Sequence, residues 1–258
     1  MTRYCGLFSR FPGNGSLAGC AAVAAVSCLV LTSVASAQVF RFEVLGPATV
    51  VRAQAAASNP ETVRLLLGLA KIESDLQLGM LFLQEGLANP EGSHFSHPRV
   101  ETWPGIKEGV IAAGGPDLEG ILQKLEGGGG KDAVLANYTA ALGAVMKARS
   151  ALNPTDQDII QSIVAQAKAV VGEINASGPT AAQDFQDGWA MLMVARTQVD
   201  LLLRNQDPAV AKAAAEMAMA LDDVIISMPD PAQSAPVLFD PAPILAAVSK
   251  LEGMAGSV

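Results

Sequence analysis

The chain predicts an all-α fold, an up-and-down helical bundle, on three observations. Apolar residues recur at three- and four-residue spacing over almost everything after residue 58. Ala, Leu, Gln and Glu, all strong helix formers, are plentiful, while aromatic residues make up only 5% of the 258 residues. Short punctuations bearing Pro, Gly or Asn separate the periodic segments. Short connections make successive helices antiparallel neighbours, so the economical arrangement is an up-and-down bundle with a short-helix insertion after the first long helix.

The elements follow in order. Residues 1–37 read as a signal peptide: Arg3 and Arg10 precede the apolar run Cys20 to Val34, no acid intervenes, and Ala35-Ser36-Ala37 is a small-residue stop. The processed chain is expected to start at Gln38. Left uncleaved, the run of about 17 apolar residues stands at the short edge of what spans a bilayer, which keeps a membrane-anchored form as an alternative. Leu17-Ala18-Gly19-Cys20 has the letters of a lipoprotein box, but the apolar run follows that cysteine instead of preceding it. Residues 38–58 hold one alternating stretch, Val39 to Val44, without a partner strand, and are expected to form an extended arm.

From residue 59 to 258 a single helical-bundle domain is expected. Asn59-Pro60-Glu61 starts a long helix that Gly86 closes. A loop from Ala88 to Pro98 leads to two short helical pieces at about 98–113 and 116–126, and Gly127 to Gly130 is a hinge. Long helices are expected at about 131–152, 155–175, 180–205 and 208–227, and a last one at about 241–252 after a proline-rich connector. Their inner faces carry Val134, Tyr138, Leu142, Val145 and Leu152; then Ile159, Ile163, Val170 and Ile174; then Phe185, Trp189, Leu192, Val199 and Leu203.

Composition excludes several function classes. All three cysteines, Cys5, Cys20 and Cys28, fall within the leader, so the processed chain has neither disulfides nor thiolate ligands. The net charge of −8 argues against nucleic acid and anionic membrane as partners, since both need a concentrated basic face. The four-glycine run lacks the Lys-Ser/Thr ending of a phosphate-binding loop. No nucleophile stands out with a base beside it. Met191, Met193, Met217 and Met219 sit at helical spacing among Ala and Leu and read as core filler.

The remaining signal is His94-Phe95-Ser96-His97-Pro98-Arg99-Val100-Glu101, which contains both histidines of the chain. Imidazole is the commonest ligand for divalent transition metals, and a carboxylate completes or orients such a site. The plain alternative is two loop histidines, with His97 capping a helix that begins at Pro98 and Glu101 favoured in its first turn by the helix dipole. Other carboxylates fall where a core face is expected: Asp75, otherwise an ion-pair partner for Lys71, and Asp184 with Asp187 near a helix start. With a rise of about 1.5 Å per residue, Asp75 lies roughly 15 Å from the C-terminal end of its helix and Asp187 roughly 12 Å from the N-terminal end of the 180–205 helix. Alternation along the chain puts both ends at one pole, so these carboxylates can meet the histidine segment there.

The segments Asp75-Leu76 to Gly86, His94 to Glu101, and Asp184-Phe185-Gln186-Asp187-Gly188 together resemble a group of uncharacterised exported bacterial helical-bundle proteins with an H-x-x-H-P-x-x-E motif. The resemblance spans about residues 70 to 200. The chain departs from that pattern in having Asp75 where a histidine is expected and Asp184 where Glu is expected. A more distant similarity is to imelysin-like periplasmic proteins, whose H-x-x-E spacing is one residue shorter than His97 to Glu101. The group implies a site and not a reaction. The resulting expectation is an exported, periplasmic or secreted protein binding one transition metal ion, iron, zinc or manganese, through His94, His97 and Glu101 with Asp75, Asp184 or Asp187. The competing readings are a structural or partner-binding envelope protein and, third, a metal-dependent hydrolase.

Overall fold

Eight α-helices and one π-helical turn are found among the residues that the computed structural model describes, which are 57–85 and 94–258. The leader 1–37, the start at Gln38, nearly all of the arm 38–58 and the loop residues 86–93 lie outside the described residues. The helices are α1 (Pro60–Glu85), α2 (Trp103–Ala112), α3 (Glu119–Glu126), α4 (Lys131–Ala151), α5 (Asp156–Glu173), α6 (Ala182–Leu202), α7 (Pro208–Ser227) and α8 (Ala242–Ala255), with the π turn at Pro98–Thr102. Each long helix falls within a few residues of its expected span. Among the described residues, no helix is long and apolar enough to cross a membrane.

The four C-terminal helices close a ring in which α5 packs on α6 and α8, and α7 packs on α6 and α8. Its core is built from Ile163, Val170, Phe185, Leu192, Met217, Leu221 and Leu251. A second core, with Leu69, Ile72, Leu76, Trp103, Leu122 and Val145, joins α1 to α2, α3 and α4. Each buried side chain of this size contributes about 1.5–3 kcal/mol on leaving water. A small third cluster, Leu78 and Phe82 of α1 with Ala190 of α6, and Trp189 packed against it, lies between the two. Sequential packing holds around the ring, but the packing partners of α4 are α1 and α3. Asn153 between α4 and α5 takes a positive φ of 45°, a conformation that asparagine tolerates and that lets the chain turn sharply.

Two of the expected inner residues face water. Leu203, just beyond α6, is 37% exposed, and Met219 of α7, read as core filler, is 62% exposed. Both follow from register: Met217 takes the inward position on α7, and α6 ends before Leu203 completes another turn.

Helix direction is fixed at one pole by Asp158. Its carboxylate closes a capping box with Thr155 at the start of α5 and also accepts a 2.6 Å hydrogen bond from the backbone N–H of Asn59, just before α1. Helices α1 and α5 therefore begin side by side. After the Asn175–Thr180 turn, α6 runs back, so the C-terminal half of α1 and the N-terminus of α6 share the opposite pole.

Candidate metal centre

Asp75, on α1, points to that shared pole. Ser74, Asp75 and Leu76 are all buried, and the small Gly79 one turn later leaves a seat for the ring of Phe95. Phe95 packs on the α1–α4 core and carries His94 to Asp75. His94 is only 2% exposed, and its ring stacks on Phe82 with centroids 5.4 Å apart and planes within 4°. His97 meets the His94 ring edge-on at 5.7 Å.

His97 precedes the π turn, with Pro98 as its first residue, as the capping alternative anticipates. Its backbone is nonetheless helical, with φ −53° and ψ −45°, although a residue before proline usually avoids that region. Bonds from the backbone N–H groups of Arg99 and Val100 to the carbonyl of Ser96 hold the segment in this turn, and the backbone N–H of Trp103, whose side chain is wholly buried, bonds to the carbonyl of Pro98. The guanidinium of Arg99 bonds to Glu126 at 3.1 Å and reaches Glu119 at 3.5 Å, fastening the turn to α3. π turns of this kind are frequent at functional sites.

The three side chains Asp75, His94 and His97 each present one ligand atom, all within 4.8 Å of one another. Asp75 Oδ1 is 3.9 Å from His94 Nδ1 and 3.7 Å from His97 Nδ1. Asp187, on α6, brings its Oδ1 to 3.7 Å from His94 Nδ1. Ligand atoms bound at about 2.0–2.2 Å to one ion stand roughly 3–4 Å apart, so these separations suit a shared ion with small adjustment. Among the described residues, two buried atoms, His94 Nδ1 and Asp187 Oδ1, have no hydrogen-bond partner, and their mutual distance is too long for one. Each such orphan costs about 1–3 kcal/mol, a cost that a cation between them removes.

Electrostatics mark the same place. Burial raises the Asp187 carboxyl from the ordinary 3.8 to about 7, with the Asp75 charge pushing further upward and the two imidazoles drawing it down. His97 is raised from its ordinary value, first by the Asp75 carboxylate that faces its Nδ1 and then by the charges of Glu101 and Asp187, against the effect of burial. Perturbed groups clustered in this way are a mark of functional sites.

The other two candidate residues stand apart from the three-residue cluster. Glu101 reaches His97 Nε2 at 3.9 Å, but its side chain is 65% exposed. Asp184 is exposed; one turn nearer the start of α6 than Asp187, it is rotated about 60° around the helix toward solvent, and its charge is felt by Glu173. Asp75 faces the imidazoles, while the Lys71 charge acts on Glu173. Two residues of the site carried no signal in the sequence: Phe82, which stacks on His94, and Gln183, whose amide lies 3.4 Å from His97 Nε2.

Compared with models of known protein families, with curated proteins and with solved structures, the chain matches none.

Proposed function

We propose that this is an exported protein that binds one transition metal ion through Asp75, His94 and His97, with Asp187 completing the set. A single observation carries the reading: a buried imidazole offers an Nδ1, unpartnered among the described residues, to two carboxylates from different helices, with the second histidine of the chain beside it. The Asp75 charge and burial both raise the Asp187 carboxyl, so keeping the two carboxylates ionised together is costly unless a cation compensates them. Imidazole with oxygen ligands suits iron, zinc or manganese better than copper(I). The role that follows is storage, delivery or sensing of the ion in the periplasm or outside the cell, the address that residues 1–37 support.

Elemental analysis by inductively coupled plasma mass spectrometry tests this on protein made from the full chain and purified without a histidine tag, beside a His94→Ala/His97→Ala variant. One ion per chain, lost in the variant, supports the proposal and names the metal. A wild-type protein that is empty and takes up none of the three metals refutes it and favours a structural or partner-binding envelope protein.

A further inference from the structure

His97 offers its two ring nitrogens to two different carboxylates. Nδ1 is 3.7 Å from Asp75 Oδ1, on the inner side where His94 and Asp187 also converge. Nε2 is 3.9 Å from Glu101 Oε1 and 3.4 Å from the Gln183 side-chain nitrogen, on the outer side; with the Gln183 amide turned over, its oxygen and Glu101 both face Nε2 as acceptors. The lone pairs of an imidazole diverge, so the nitrogen that takes an ion and the nitrogen that faces Glu101 cannot serve the same ion. Exposure divides the carboxylates in the same way: the Asp75 side chain is 13% exposed and that of Glu101 65%.

From this geometry we infer that Glu101 is a positioning residue and not a ligand: it accepts the Nε2–H of His97, holding the ring so that Nδ1 faces the ion. This rests on the metal reading above. A metal-bound histidine almost always donates its other N–H to a carboxylate, carbonyl or water, which fixes the tautomer and strengthens the ligand. At 3.9 Å the contact is longer than a hydrogen bond, and a rotation of the exposed Glu101 side chain or one bridging water closes it. The four-residue spacing from His97 to Glu101 brings the two together across one turn, while Arg99, which lies between them in sequence, is held by α3.

The test uses ¹⁵N-labelled full chain loaded with zinc, whose two histidines give only two imidazole spin systems. Long-range proton–nitrogen correlation is expected to show His97 bound through Nδ1 with Nε2 protonated. Glu101→Ala is expected to keep one zinc per chain but to bind it about 10-fold more weakly, at the lower end of the 10–100-fold range for outer partners, because Glu101 is exposed. Glu101→Gln keeps an acceptor oxygen and is expected to restore most of the affinity. Coordination of His97 through Nε2, or loss of zinc in Glu101→Gln as complete as in His94→Ala, overturns the inference while leaving the metal reading intact. A wild-type chain that binds no zinc overturns both.

Discussion

Gly79 provides a quantitative test of how the histidine segment is seated. A Cβ added there meets three ring atoms of Phe95, at 2.5, 2.7 and 2.8 Å, distances that real contacts do not tolerate. Gly143, in the middle of α4, has no atom of the described residues within 4 Å of its added Cβ. Replacing either glycine by alanine within a helix gains up to about 1 kcal/mol from helix propensity. That gain is common to both, so the difference between Gly79→Ala and Gly143→Ala reads the crowding of Phe95 alone. Overpacking of this kind costs about 1–3 kcal/mol. Gly143→Ala is expected to raise the midpoint of thermal unfolding, and Gly79→Ala to lower it relative to Gly143→Ala by about 2–4 °C for each kcal/mol. Displacement of Phe95 also moves His94, so zinc affinity should fall in Gly79→Ala and stay unchanged in Gly143→Ala. Two variants equally stabilised, with equal zinc affinity, refute the idea that the Phe95 ring holds the site in register.

Phe82→Ala removes the ring under His94 and part of the cluster between α1 and α6, and should cost about 3–5 kcal/mol in urea unfolding. Arg149 on α4 meets Glu73 on α1 at 2.8 Å with both side chains largely buried, so Arg149→Met should cost about 3 kcal/mol, much of it recovered when Glu73→Gln is added. The metal-free protein should lose stability as pH rises across the window from 3.8 to about 7, because the folded state keeps Asp187 protonated where the unfolded chain has ionised it. The raised His97 acts in the same direction: its stabilisation is present below the ordinary imidazole value of 6.5 and is lost as pH rises through its folded pKa. Asp187→Asn should flatten the lower part of that slope in unfolding measured as a function of pH, and a slope unchanged by the substitution would show that Asp187 does not carry it.

Helix positions were legible in the chain because the punctuation is strong. Asn59-Pro60 and Asp207-Pro208 open helices α1 and α7 where capping chemistry puts them, and Asn153-Pro154 separates α4 from α5. The partners of α4 were not legible, since a short connection fixes proximity of helix ends and leaves the direction of departure to the backbone angles of Asn153. At the site, helical rise together with the alternating direction of successive helices placed Asp75 and Asp187 at one pole with the histidines. Spacing did not separate Asp184 from Asp187, because three residues on a helix leave the two within about 60° of each other, and only packing against α1 selects one. Phe82 reads as any core residue of an apolar face; its stacking on His94 depends on the tertiary path of residues 94–97.

Metal binding at this pole requires one ion among Asp75, His94 and His97. Anomalous diffraction from crystals soaked in zinc, collected at energies on both sides of the zinc absorption edge, locates that ion. The expected result is one strong edge-dependent peak about 2.0–2.2 Å from Asp75 Oδ1, His94 Nδ1 and His97 Nδ1. A peak only at exposed carboxylates elsewhere on the surface, or none at all, contradicts it.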